Sequence, residues 1–120
     1  MTHIHAHIPA HIPATLLLGF SLILSAAVHA QGKVVITSPT EGATLDVMAE
    51  NRLVYEVDPG PRGDHVHVYV NGREVGILRK LKGSYLLEGL PAGKSVICVK
   101  VVNKAHVPIG IEQCVQVTAK

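Results

Sequence analysis

The sequence predicts an all-β fold built as a two-sheet antiparallel sandwich, and three observations predict it. From residue 33 to residue 118 apolar and polar residues alternate with a period of two, the spacing of a strand with one buried face. Gly, Pro and Asn punctuate that stretch at short intervals, where turns are expected. No convincing stripe at the 3.6-residue spacing of a helix accompanies them.

The elements follow in order, beginning with a leader of different composition. Thr15 to Val28 (TLLLGFSLILSAAV) is an apolar run followed by Val28-His29-Ala30, with small residues where a signal peptidase reads them. At about 14 residues the run is short for a membrane span, which needs about 20. Residues 1–30 are therefore expected to be a signal peptide cleaved before Gln31, leaving no membrane span. The segment ahead of the run is rich in histidine and carries neither Lys nor Arg, a departure from the usual positive start of such a leader.

Residues 31–120 are expected to form one domain with a single modest core. Lys33 to Thr37 stops at Ser38-Pro39, and Arg52 to Val57 stops at Asp58-Pro59-Gly60-Pro61. Asp64 to Val70 meets Asn71-Gly72 and returns as Arg73 to Leu78; Asn-Gly between two such runs is a strong signal for a two-residue hairpin. Ser84 to Glu88 precedes Gly89-Leu90-Pro91-Ala92-Gly93, and Ser95 to Asn103 pairs with Ile109 to Thr118 as a closing hairpin. About seven short strands at this spacing predict an immunoglobulin-like sandwich.

Composition removes several function classes. All 11 Lys and Arg and all 9 Asp and Glu lie after residue 30, for a net charge of +2, and the basic residues are scattered. Neither nucleic acid nor a membrane surface is an expected partner. Tyr55, Tyr69 and Tyr85 are the only aromatics after the leader, too few for the stacking platforms of nucleic-acid binders. Ser84 and Ser95 have no His and carboxylate at a recognisable spacing, and Gly72 to Gly76 (GREVG) is not a phosphate loop, so no enzyme is expected.

A resemblance rests on Ile36-Thr37-Ser38-Pro39, Glu41-Gly42-Ala43-Thr44, Val68-Tyr69-Val70-Asn71-Gly72 and Gly89-Leu90-Pro91-Ala92-Gly93-Lys94. These segments resemble bacterial immunoglobulin-like domains of secreted proteins, with Asn71 where Asp is commoner. A subset of that family carries histidines before the Tyr-Val-(Asp/Asn)-Gly turn and another late in the chain. The resemblance implies the sandwich fold and a periplasmic or secreted location.

Alternation then places the chemistry. Val66, Val68 and Val70 share one face of their strand and His65, His67 and Tyr69 the other; with the valines in the core, the histidines are expected to face outward into solvent. Ile97, Val99, Val101, Ile111, Val115 and Val117 are expected to face the core, leaving Cys98, Lys100, Glu112 and Cys114 outside. A hairpin register whose paired numbers sum to 212 sets Cys98 opposite Cys114 and Lys100 opposite Glu112. Opposed Cβ atoms in an antiparallel pair lie about 4.5–5.5 Å apart, near the span of a disulfide, so a Cys98–Cys114 bridge is expected. Free thiols or a soft metal site are the alternatives.

His65, His67 and His106 are the only histidines after residue 30. His-x-His on one strand points two imidazoles the same way, about 6.6–6.8 Å apart at Cα. The loop carrying His106 is expected at the same end of the sandwich as the start of that strand. Three imidazoles with open positions beside them suit copper, or zinc as the alternative. Asp58 or Asp64 is a possible carboxylate ligand, though strict alternation puts Asp64 inward, and Lys100 places a positive charge nearby. Met48 falls at the opposite end. The function expected is that of an exported metal carrier or sensor. The alternative is a metal-free adhesion or assembly module that binds a periplasmic or surface protein through a sheet face or edge.

Overall fold

The computed structural model describes residues 2–23 and 31–120. Residues 2–23 form no helix or strand, and the expected cleavage point at residues 28–30 lies outside the described residues. No helix among the described residues is long and apolar enough to cross a membrane.

The remaining chain folds into β1 (Lys33–Ser38), β2 (Ala43–Leu45), β3 (Asn51–Asp58), β4 (His65–Val70), β5 (Arg73–Leu78), β6 (Lys82–Leu87), β7 (Gly93–Val102) and β8 (Pro108–Ala119). One sheet has the order β1-β3-β6 and the other β2-β8-β7-β4-β5, the two layers of an immunoglobulin-like sandwich. All seven expected strands are present, with ends within two residues of expectation. The eighth, β2, pairs parallel to β8, so one edge of an otherwise antiparallel sheet is mixed; three residues are too few to show a period.

The core lies between the layers and follows the alternation. Val34, Ile36, Leu53, Tyr55 and Val57 from one sheet meet Val66, Val68, Ile97, Val99, Val101, Val115 and Val117 from the other. Each fully buried aliphatic side chain contributes roughly 1.5–3 kcal/mol. Ile111 also packs against this core, as expected, though only half-buried. The pairing of β7 with β8 shifts between Lys100 and Val102, which loosens the alternation at that end. Gln113 stands among these inward residues because its Oε1 accepts the Ile36 N–H at 2.7 Å, tying β1 to β8.

The two hairpins that position the site form as expected. Asn71 (φ 51°) and Gly72 (φ 81°) both take left-handed conformations, as a two-residue type I′ turn requires. The Asn71 Oδ1 also accepts the Val96 N–H at 2.9 Å, joining this turn to β7. In the closing hairpin Cys98 faces Cys114 and Lys100 faces Glu112. Cys98 and Cys114 form a disulfide.

A candidate metal centre of three histidines

β4 lies between β7 and β5, with His65 opposite Val102 and His67 opposite both Lys100 and Ile77. Val66 and Val68 point into the core, so the histidines stand on the outer face of the sheet. They are not in solvent, which corrects the sequence expectation: His65 is 1% exposed and His67 2%. The third imidazole covers them. The His106 ring lies edge-on to His65 with centroids 4.6 Å apart, and 5.2 Å from the His67 ring.

The loop that delivers His106 is built around Asn103. Its Oδ1 accepts the N–H groups of Ala105 at 2.9 Å and Val107 at 3.1 Å. Its own N–H donates to the Val107 carbonyl and its carbonyl accepts the His106 N–H. His106 itself has φ 63°, a left-handed conformation that costs a non-glycine residue on the order of 1–3 kcal/mol. The result is a ring turned back over the sheet, with Nδ1 toward His65 and His67.

Three nitrogens converge. His65 Nε2 is 3.1 Å from His67 Nε2 and 3.1 Å from His106 Nδ1, and the last two are 3.0 Å apart. At its far side His65 Nδ1–H donates to Asp64 Oδ2 at 2.8 Å, and Arg79 approaches the same carboxylate at 3.7 Å. A neutral imidazole carries one proton, so the bond to Asp64 leaves a lone pair on His65 Nε2, aimed at the other two nitrogens. Asp64 is therefore neither an inward residue nor a ligand: it precedes β4, where alternation no longer applies, and orients His65. Asp58 accepts the Gly60 N–H instead.

Glu74 is the residue that sequence reasoning missed. β4 and β5 pair with numbers summing to 144 from Val66 to Val68, then to 143 at Tyr69 and Val70, so Val75 is an extra, bulged residue. On the turn side of the bulge Glu74 stays opposite Tyr69 on the outer face, where its Oε2 lies 3.5 Å from His67 Nδ1. That nitrogen is buried and makes no hydrogen bond. The signal that could have found Glu74 is the Asn71-Gly72 turn, which pairs Val70 with Arg73 and so Tyr69 with Glu74.

Burial holds the His67 imidazole below the usual histidine range; Glu74 opposes that shift, while His65, His106 and Arg79 reinforce it. The neutral, ligating form is favoured. The Lys100 charge is partly engaged, with Nζ 3.7 Å from the Glu112 carboxylate and 4.7 Å from the centre of the Tyr69 ring. A second group, Cys98, Glu112 and Cys114, has its ligand atoms within 4.8 Å of one another, but the disulfide occupies both sulfurs. A groove lined by Asn71, Arg73, Val75, Glu88 and Pro91 lies at the other end of β4 and shares no residue with the histidines.

No family model matches the chain, and no curated protein matches it. Among solved structures it is similar to the fibronectin(III)-like modules of Clostridium thermocellum CbhA, with a TM-score of 0.61 and 16% identity over 72% of this chain and 96% of that one. It is also similar to an engineered protein, with a TM-score of 0.53 and 21% identity over 76% of this chain and 20% of that one. At these identities the likeness establishes the fold alone: an immunoglobulin-like β-sandwich.

Proposed function

We propose that the domain binds a transition-metal ion through His65 Nε2, His67 Nε2 and His106 Nδ1, and serves as an exported, non-catalytic metal carrier or sensor. The observation that carries this reading is the triangle of nitrogens with edges of 3.0–3.1 Å. With one lone pair fixed inward by Asp64, hydrogen bonds among the three rings cannot satisfy every nitrogen, whereas a single cation can. A histidine ligand whose other nitrogen donates to a carboxylate is the usual arrangement around a metal.

The triangle also speaks to the ion. The centre of such a triangle is about 1.8 Å from each corner, short of the metal–nitrogen distance of about 2.0–2.1 Å, so an ion stands out of the plane with a face open to further ligands. Two nitrogens on opposite sides of a square-planar ion would be about 4 Å apart, and no pair here is. The triangle thus supports a tetrahedral or facially bound ion, and of the metals named from the sequence it favours zinc over tetragonal copper(II).

Export is supported by the disulfide, which persists in oxidising compartments, and by the leader sequence. The resemblance to immunoglobulin-like domains of secreted proteins belongs to the same reading. A second reading, strand addition by a partner protein at a sheet edge, is favoured by β5, which ends the larger sheet with Val75 and Ile77 exposed.

Calorimetric titration of residues 31–120, which hold every strand and omit the leader's histidines, tests the proposal. Zn²⁺ and Cu²⁺ are added at pH 7.5 to this chain and to its His106→Ala variant. One-to-one binding tighter than micromolar, lost in the variant, is expected. Binding weaker than that, or unchanged without His106, rules out the metal reading, and partner capture that persists in chelator would then support strand addition.

A further inference from the structure

We infer that Glu74 serves the metal centre as a positioning residue for His67, fixing its ring so that Nε2 is the ligating nitrogen. This rests on the metal reading above. The two-residue Asn71-Gly72 turn pairs Val70 with Arg73 and so sets Glu74 opposite Tyr69, on the face of the sheet that carries the histidines. Its carboxylate lies 3.5 Å from His67 Nδ1.

Two independent features meet there. His67 Nδ1 is a buried polar atom without a hydrogen-bond partner, and a small movement of Glu74, whose side chain is 44% exposed, supplies one. The Nδ1–H then donates to the carboxylate and the Nε2 lone pair faces His65 and His106, repeating at His67 what Asp64 does at His65. The charges follow. Asp64 and Glu112 are paired with Arg79 and Lys100, so Glu74 is the carboxylate that adds a negative charge beside the three imidazoles.

The experiment uses the full chain labelled with ¹⁵N at histidine. Ring nitrogen shifts report the tautomer of His67 without metal, and the same signals follow titration with Zn²⁺, so the leader's histidines do not interfere. In the unsubstituted chain His67 is expected to carry its proton on Nδ1. Glu74→Ala is expected to move that proton toward Nε2 and weaken Zn²⁺ about 10–100-fold, the usual effect of losing such a carboxylate. Glu74→Gln keeps an acceptor, so it is expected to preserve the tautomer and recover most of the Zn²⁺ affinity. An unchanged tautomer or an unchanged Zn²⁺ affinity in Glu74→Ala overturns the inference. If the unsubstituted chain does not bind Zn²⁺, the metal reading fails, while the tautomer data still decide whether Glu74 positions His67.

Discussion

His106 holds a left-handed backbone conformation that glycine adopts without strain. His106→Gly is therefore expected to leave the metal-free domain as stable or about 1 kcal/mol more stable, since relief of strain slightly exceeds the entropy glycine adds to the unfolded chain. The same substitution removes a ligand and is expected to abolish tight Zn²⁺ binding. Urea denaturation beside a metal titration separates the two effects. His67 gives a pH dependence. In the unfolded chain its imidazole takes up a proton near 6.5, and burial lowers that point in the fold. The unfolded state then binds more protons just below pH 6.5, so this contribution to stability is full above 6.5 and is lost as the pH falls toward the native value. Denaturation of the metal-free domain between pH 7.5 and 5 is expected to show the decline, and His67→Gln to flatten it.

At the scale of elements, the approach to β4 decides whether His65 is in place. Gly63 packs so closely that a Cβ there would meet the Pro59 carbonyl oxygen and Val101 Cγ1, and the next residue extends the ladder through Asp64 N–H to the Val102 carbonyl at 2.9 Å. Gly63→Ala is expected to destabilise the domain by about 1–3 kcal/mol, the usual cost of overpacking, and to weaken metal binding, both measurable on one preparation. Strands, hairpin register and disulfide were legible because each depends on alternation over six or more residues or on the chemistry of one turn. The three histidines were legible as a set because neighbouring strands in a sandwich are fixed by topology. The carboxylates were not. Asp64 lies just ahead of the strand, where a strict period of two misplaces it, and Glu74 reaches His67 diagonally across the hairpin from its place opposite Tyr69, a contact that alternation along one strand does not show. The burial of His65 and His67 was hidden for a related reason: their cover is a loop 39 residues or more away in sequence, and alternation tells which side a residue faces, not what lies above it.

For the whole molecule, an ion that binds only the folded state raises stability in proportion to the logarithm of its concentration over its dissociation constant. A thousandfold excess corresponds to about 4.1 kcal/mol. In a domain of this size each kcal/mol moves the melting temperature by roughly 4–8 °C, so saturating Zn²⁺ is expected to raise it by well over 10 °C and EDTA to restore it. A melting curve indifferent to both would contradict a site of the proposed strength. The scaffold around the ligands is unevenly firm. Two of them stand on an inner strand of a five-stranded sheet, and the strands that flank the third are joined by the Cys98–Cys114 bridge. The Asn103–Val107 turn is held by hydrogen bonds within itself. If the proposed ion binds, its residence time is expected to be set by that turn, with release beginning as His106 lifts away from the sheet.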